Sequence, residues 1–588
     1  VRLYRPFSGK HFLAVLPDSV EKIAVLDRTK EPGSPGEPLY LDVIKSCQSL
    51  TRRPLIVGGR YGLGSKDTRP AHIRSVFRNL QEDDPRDGFT IGIVDDLTYH
   101  SLPAGEALDI MEEGTISCKF WGLGSDGTVG ANQGAVRIIG ENTDLYAQAY
   151  FSYDSKKSGG TTVSHLRFGP RPIKAPYLVE EADYIACHNQ AFVNSYDLLK
   201  GLKPGGTFVL NCTWGLDQLE DHLPISLRRN LGEKAARFYI IDAVSIAEKL
   251  GLGNRINMIM QAAFFQLAKV IPIDDALRYL KQSVQELYGR KGRRIVEMNE
   301  AAIDQGVSAL VEVEVPPEWK NLREPASQEQ DELPPFVENI QLPMARLEGD
   351  NLPVSAFKGR EDGVFPNGTT AYEKRGIAVL VPQWQLEKCI QCNQCSFVCP
   401  HAVIRPFLLD EEELSAAPEG FLTKKALGKE LQGLNYRIQV SALDCTGCGN
   451  CADVCPAAGK ALIMKPAEEE IKAQGENWEF ALTVASKAEA INWRTLKGSQ
   501  FKTPLFEFHG ACPGCGETPY LRLISQLFGE RMLIANATGC SSIYSASAPS
   551  FPYTVNEEGL GPAWANSLFE DNAEYGLGML VGINQRRQ

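Results

Sequence analysis

The chain has 588 residues, with 73 Asp and Glu against 61 Lys and Arg, a net charge of −12, 43% hydrophobic residues and 23% charged residues. That length predicts about four domains of ordinary globular composition, and the acidic balance argues against a nucleic-acid partner. No run of about 18 uncharged apolar residues is present to form a spanning helix, so a membrane partner is not expected either.

In chain order, Ile23–Leu26, Leu55–Gly59 and Phe89–Val94 read as buried strands between polar helical stretches, which predicts an α/β domain over residues 1–115. A second α/β domain is expected over residues 116–315. Its strands are Thr115–Trp121, Leu145–Ser152, Tyr184–Cys187, Thr207–Asn211 and Phe238–Ile241, and its helices include Val129–Ile139, Asn257–Ile271 and Asp275–Tyr288. Residues 316–368 are rich in Pro and acidic side chains and lack periodicity, so they are expected to run as an extended linker. An α+β module is expected over 369–485, and a further domain starts at 486. The chain opens on Val1 and stops inside the pattern Gly576–Gln585, so both ends read as cut and a fragment is expected.

Gly122-Leu-Gly124-Ser125-Asp126-Gly127 fits G-x-G-x-x-G between a strand and a helix. Amides at such a helix start can cradle a diphosphate, and glycine lets it approach closely. Glu141 and Asp144 only roughly meet the acidic position expected of a nicotinamide site. Lys156 and Lys157 could neutralise further phosphate charge, or form a solvated turn.

Two copies of Cys-x-x-Cys-x-x-Cys-x-x-x-Cys-Pro follow. Cys389, Cys392, Cys395 and Cys399 end at Pro400; Cys445, Cys448, Cys451 and Cys455 end at Pro456. This is the bacterial-type spacing for two [4Fe–4S] clusters, in which the fourth cysteine of each run crosses to the other cluster. One ligand set is then Cys389, Cys392, Cys395 and Cys455, and the other is Cys399, Cys445, Cys448 and Cys451. Zinc ribbons use separated Cys-x-x-Cys pairs rather than unbroken runs of four. A third group, Cys512, Cys515 and Cys540, supplies three thiolates for another cluster, with His509 or a residue outside the chain as the fourth ligand. A zinc knuckle or a redox dithiol is the alternative. The remaining cysteines, Cys47, Cys118, Cys187 and Cys212, are expected to be reduced and buried.

These strings, with Gly58-Gly-Arg-Tyr-Gly-Leu, Gly124-Ser-Asp-Gly-Thr-Val-Gly-Ala, Gly510-Ala-Cys-Pro-Gly-Cys-Gly-Glu-Thr, Thr538-Gly-Cys-Ser-Ser-Ile-Tyr and Gly561-Pro-Ala-Trp-Ala-Asn-Ser-Leu-Phe-Glu-Asp-Asn-Ala-Glu, resemble pyruvate:ferredoxin oxidoreductase (pyruvate synthase) along essentially the whole chain. The resemblance implies an α/β multidomain fold with an inserted two-cluster ferredoxin module. Its first domain would be similar to a transketolase C-terminal domain, its second would bind CoA, and its last would begin the thiamine diphosphate domain. It implies oxidative decarboxylation of pyruvate with thiamine diphosphate and Mg²⁺, three [4Fe–4S] clusters, CoA as co-substrate, ferredoxin or flavodoxin as electron acceptor, a homodimer, and a cytoplasmic or hydrogenosome-like location. It places CoA on Gly124, Ser125, Asp126, Gly127, Thr128, Lys156, Asn257 and Asn299, and thiamine against Glu517 and Cys540. No catalytic residue is assigned within the chain, and the residues that hold pyruvate and Mg²⁺ are expected outside it, so the chain alone is expected to be inactive. A sister 2-oxoacid enzyme, an NADP-linked fusion and a non-catalytic electron-transfer module are the competing readings.

Overall fold

The computed structural model describes residues 4–588 apart from 125, 155, 157–158, 254, 325–332, 538 and 567–572. Strands Lys22–Asp27 (β1), Leu55–Arg60 (β2) and Phe89–Thr90 (β3) form a parallel three-stranded sheet in that order. The strand expected over Phe89–Val94 is cut to two residues; Gly92 turns the chain with a φ of +78°.

The second sheet has seven strands: Ile116–Leu123 (β4), Tyr146–Tyr153 (β5), Thr161–Gly169 (β6), Ala182–Cys187 (β7), Leu202–Asn211 (β8), Arg237–Ile241 (β9) and Val311–Val313 (β10), in the order β10-β9-β8-β7-β4-β6-β5. β4, β7, β8 and β9 are parallel; β6 and β10 run opposite to them, and β5 pairs antiparallel with β6. Alternation along each strand separates two cores. Cys118, Phe120, Tyr184, Ala186 and Val209 face the helices Thr128–Asn142, Asn257–Ala268, Ile273–Tyr288 and Arg293–Ser308. Trp121, Ile185, Cys187, Phe208 and Leu210 face Leu219, Leu227, Leu231 and Trp319. Helix Asn257–Ala268 is buried at every residue from Met258 to Phe265. The four scattered cysteines are buried as expected; burial pushes the thiols of Cys187 and Cys212 up to about 12 and about 11.

The described parts of 316–368, residues 316–324 and 333–368, wind over the other units in short turns. Trp319 donates to Glu220 (3.2 Å), the Ser355 amide to Asp96 (3.0 Å), and the Gln341 amide to the Thr369 carbonyl (2.7 Å). The inserted α+β module pairs Leu380–Trp384 (β11) antiparallel with a strand more than 75 residues later, Leu462–Pro466. Between them, Ile404–Leu409 (β12) and Lys424–Lys425 (β13) flank Asn435–Val440 (β14). With Leu462–Pro466 as β15, the final unit holds the parallel pair Leu533–Asn536 (β16) and Ala563–Asn566 (β17) and the helices Thr518–Phe528, Cys540–Ser545 and Ala573–Arg587.

Candidate functional site

The glycine-rich loop leaves β4 at Leu123 and is tied to the start of β6: the Gly124 amide donates to the Gly160 carbonyl at 2.7 Å. Asp126 turns the loop by accepting from the amides of Leu123 (2.8 Å) and Thr128 (2.7 Å). Gly127 caps helix Thr128–Asn142 with a φ of +86°, and a Cβ there would fall on the Asn257 amide. Asn257 Oδ1 is buried with no hydrogen-bond partner among the described residues, which fits a donor group from a ligand beside Gly127. Thus Gly124, Asp126, Gly127, Thr128 and Asn257 come together. Ser125 lies outside the described residues. Asn299 is buried on helix Arg293–Ser308 and donates back to Ile295 of the same helix at 2.8 Å.

One neighbour of the loop carried no sequence signal. His188, buried at the end of β7, holds the Thr128 hydroxyl through Nδ1 at 2.8 Å, while its Nε2 is buried without a partner among the described residues. Burial pulls its pKa down to about 4, with Asp126 opposing. Lys156 directs its ammonium at buried Glu373 and lays its side chain on Gly510.

In the inserted module the two cysteine runs interleave. Cys389, Cys392, Cys395 and Cys455 line one cavity with Trp384, Tyr436 and Ile438. Cys399, Cys445, Cys448 and Cys451 line another with Pro382, Val403 and Met464. The fold therefore brings the fourth cysteine of each run to the other run. Sequence-local turns make this possible: Gln391 and Asn393 both take positive φ, and Gly447 and Gly449 do so in the second run. Backbone amides already point at sulfur, Ala461 to Cys455 at 3.2 Å and Gly447 to Cys445 at 3.4 Å. Burial pushes the Cys445 thiol up to about 12, with the neighbouring sulfurs of Cys399 and Cys448 adding to it, and raises Cys395 and Cys451 further. Such thiols become thiolates when a cationic centre supplies the compensating charge. Each cavity gathers four cysteines drawn from two unbroken runs rather than from separated pairs of the zinc-ribbon kind. The donor sets fit iron–sulfur clusters.

The third group is more open. Cys512 and Cys540 are exposed, and Cys515 is partly buried against Phe506, Ala511, Tyr544 and Tyr553. Cys540 begins helix Cys540–Ser545, and Tyr544 of that helix donates to Glu517 at 3.0 Å. Glu517 itself is the N-cap of helix Thr518–Phe528. His509 is fully buried with both ring nitrogens engaged: Nε2 donates to the Pro400 carbonyl at 2.6 Å, and Nδ1 accepts from the Ala511 amide at 3.2 Å. Of the two possible fourth ligands, His509 is thus already used as a structural link. The same loop reaches the inserted module, where the Gly514 amide points at Cys448 and a Cβ on Gly514 would sit 3.7 Å from the Cys448 Cβ.

Known proteins match along the same lines. The family described as "Pyruvate ferredoxin/flavodoxin oxidoreductase" covers residues 117–309, a "4Fe-4S dicluster domain" covers 388–458, and a "Domain of unknown function" covers 323–378. A pyruvate-flavodoxin oxidoreductase of Enterobacter agglomerans is 59% identical over all of this chain and 50% of its own length. Along its whole length this chain is similar to pyruvate-flavodoxin and pyruvate:ferredoxin oxidoreductases. A Moorella thermoacetica pyruvate:ferredoxin oxidoreductase is 57% identical, again over all of this chain and 50% of its own length. A mitochondrial pyruvate dehydrogenase [NADP(+)] of Euglena gracilis is 51% identical over all of this chain and 32% of its own. The chain spans about half the length of the first two curated relatives. All eight interleaved cysteines lie in the segment matched as the 4Fe–4S dicluster domain.

Proposed function

We propose that the chain is the CoA-binding and electron-exit part of an enzyme that oxidises pyruvate to acetyl-CoA and CO₂ and reduces ferredoxin or flavodoxin. The observation that carries this reading is the loop His509–Cys515. On one side Lys156, from the segment after β5, lies on Gly510; on the other, Gly514 meets Cys448. A co-substrate site and an electron path thus converge on one short loop. In this reading Cys389, Cys392, Cys395 and Cys455 hold one cluster, and Cys399, Cys445, Cys448 and Cys451 hold the next. Cys512, Cys515 and Cys540 hold a third, with a fourth ligand from elsewhere. Thiamine diphosphate with Mg²⁺ would supply carbanion stabilisation, and the clusters would carry single electrons.

The protein's own part is placement. Gly124–Thr128 offers a helix N-terminus to the diphosphate end of CoA, and Asn257 Oδ1 offers an acceptor to a donor group elsewhere on the same ligand. Glu517, fixed by Tyr544, and Cys540 line one wall of the thiamine pocket. Cys448, beside Gly514, would hold the cluster that faces the Cys512–Cys515 side, and that cluster would supply one-electron transfer. That order makes the Cys389 set the outer one, from which ferredoxin or flavodoxin is reduced. A homodimer in the cytoplasm or a hydrogenosome-like organelle is the setting we favour.

The test uses the full-length enzyme with pyruvate, CoA and ferredoxin. Cys448→Ser is expected to abolish ferredoxin reduction while CoA still binds by calorimetry. Full ferredoxin reduction by that variant would refute the path. Wild-type enzyme that reduces ferredoxin but binds no CoA would favour the plain electron-transfer module instead.

A further inference from the structure

Three consecutive residues in the segment matched only as a domain of unknown function reach three different functional units. Glu373 accepts from Lys156, beside the glycine-rich loop; its carboxylate is 4% exposed and the lysine 15%. Lys374 donates to Asp444 at 2.8 Å, and Asp444 immediately precedes Cys445. Arg375 places Nε 3.4 Å from the second Glu373 oxygen and donates through Nη2 to the His509 carbonyl at 3.3 Å. The middle residue, Lys374, has a φ of +42°, a conformation that is costly for a non-glycine residue and persists where the surroundings enforce it. This twist is what sends three neighbouring side chains in three directions. A buried carboxylate such as Glu373 is tolerated only while paired. Burial raises its pKa, but Lys156 and then Arg375 outweigh that and hold it below the usual range.

Lys156 cannot serve two anions equally. Its backbone adjoins Gly160, whose carbonyl receives the Gly124 amide, so the lysine is rooted beside the glycine-rich loop while its ammonium is held away on Glu373. Arg375, touching the same carboxylate, gives Glu373 a second cation when the lysine leaves. We propose that Glu373 is a positioning residue that competes with the phosphates of CoA for Lys156. Lys374 and Arg375 anchor it to the Cys445 turn and the His509 carbonyl. This rests on the reading of Gly124–Thr128 as the CoA diphosphate site. Anion occupancy then draws Lys156 off Gly510 and Glu373, so the clasp reports co-substrate binding to the loop that carries Cys512 and Cys515.

The experiment is CoA calorimetry on the full-length enzyme in a double-mutant cycle. Glu373→Gln is expected to tighten CoA roughly tenfold, the effect of about 1.4 kcal/mol, because its competitor is neutralised; Glu373→Asp should tighten it less. Lys156→Met is expected to weaken CoA by a similar factor. The double variant should match Lys156→Met alone, since the carboxylate acts only through the lysine. Weaker binding by Glu373→Gln, or additive effects in the double variant, would overturn the competition and leave the CoA site standing. Absence of CoA binding by the wild-type enzyme would overturn both.

Discussion

The imidazoles of His401 and His509 stack with centroids 4.4 Å apart and planes 21° from parallel. One follows Cys399-Pro400 and the other precedes Cys512, and each donates or accepts across the gap: His509 to the Pro400 carbonyl, His401 with the Ala511 carbonyl at 3.2 Å. The two cysteine-bearing loops are therefore fixed to each other by a fully buried pair. His509→Leu leaves the Pro400 carbonyl and the Ala511 amide unpaired, at about 1–3 kcal/mol each. We expect a thermal midpoint lowered by several degrees with iron content of the inserted module unchanged. An unaltered midpoint would show the link to be dispensable.

Cluster crossing gives the second prediction. In anaerobically reconstituted protein, Cys399→Ser is expected to damage the cluster on Cys445, Cys448 and Cys451, because Cys399 lines their cavity and not that of its own run. Electron paramagnetic resonance of the reduced variant should retain the signal of the Cys389 set. Loss of that signal alone would contradict the assignment.

A third prediction concerns Arg522, fully buried on helix Thr518–Phe528. Its guanidinium donates to the carbonyls of Ser396 and, at 2.7 Å, Phe397, closing the short helix between Cys395 and Cys399. Arg522→Met strands both carbonyls and is expected to cost about 2–4 kcal/mol. The reading is faster iron release to a chelator from the variant than from wild type. Equal release rates would mean that the helix needs no such brace.

Gly127→Ala tests the glycine-rich loop. The new Cβ meets Asn257 and must sit at φ +86°, where a side chain costs about 1–2 kcal/mol before any clash. CoA affinity should fall at least tenfold while the cluster spectra stay as in wild type. Undiminished affinity would reduce the loop to a turn.

The last prediction is a pH dependence. His188 has its pKa lowered from the ordinary 6.5 to about 4 by burial. Between those values the unfolded chain binds more protons than the folded one, so stability is full above pH 6.5 and falls as pH drops toward 4. At about 1.4 kcal/mol per unit the loss is on the order of 3 kcal/mol. His188→Gln should flatten the thermal midpoint between pH 6.5 and 4.5. A slope as steep as in wild type would place the acid-sensitive group elsewhere.

What could be read from the residues alone was whatever short range dictates. The two groups of cysteines that share a cavity follow from spacings of three and four residues, and β1, β2, β7 and β9 from compact apolar runs. β6 escaped because Ser164, His165 and Arg167 break its pattern, yet all three are buried; Arg167 spends its donors on Gln148, Tyr177 and Leu178. The pairing of Lys156 with Glu373 spans 217 positions, and no local pattern marks it. His188 was equally silent, since a lone histidine after an apolar strand looks like any core residue. Lys156 was legible as a cation near the glycine-rich loop; where its ammonium points was not.

The pairing of β11 with β15 brings the entry and exit of the inserted module side by side, with Leu380 opposite Pro466. A unit whose two ends meet in this way can be spliced into or out of a host without displacing the host's own strands. The arrangement makes the two-cavity unit a detachable part: it can be inserted or removed at its paired ends, while the loop His509–Cys515 stays with the host.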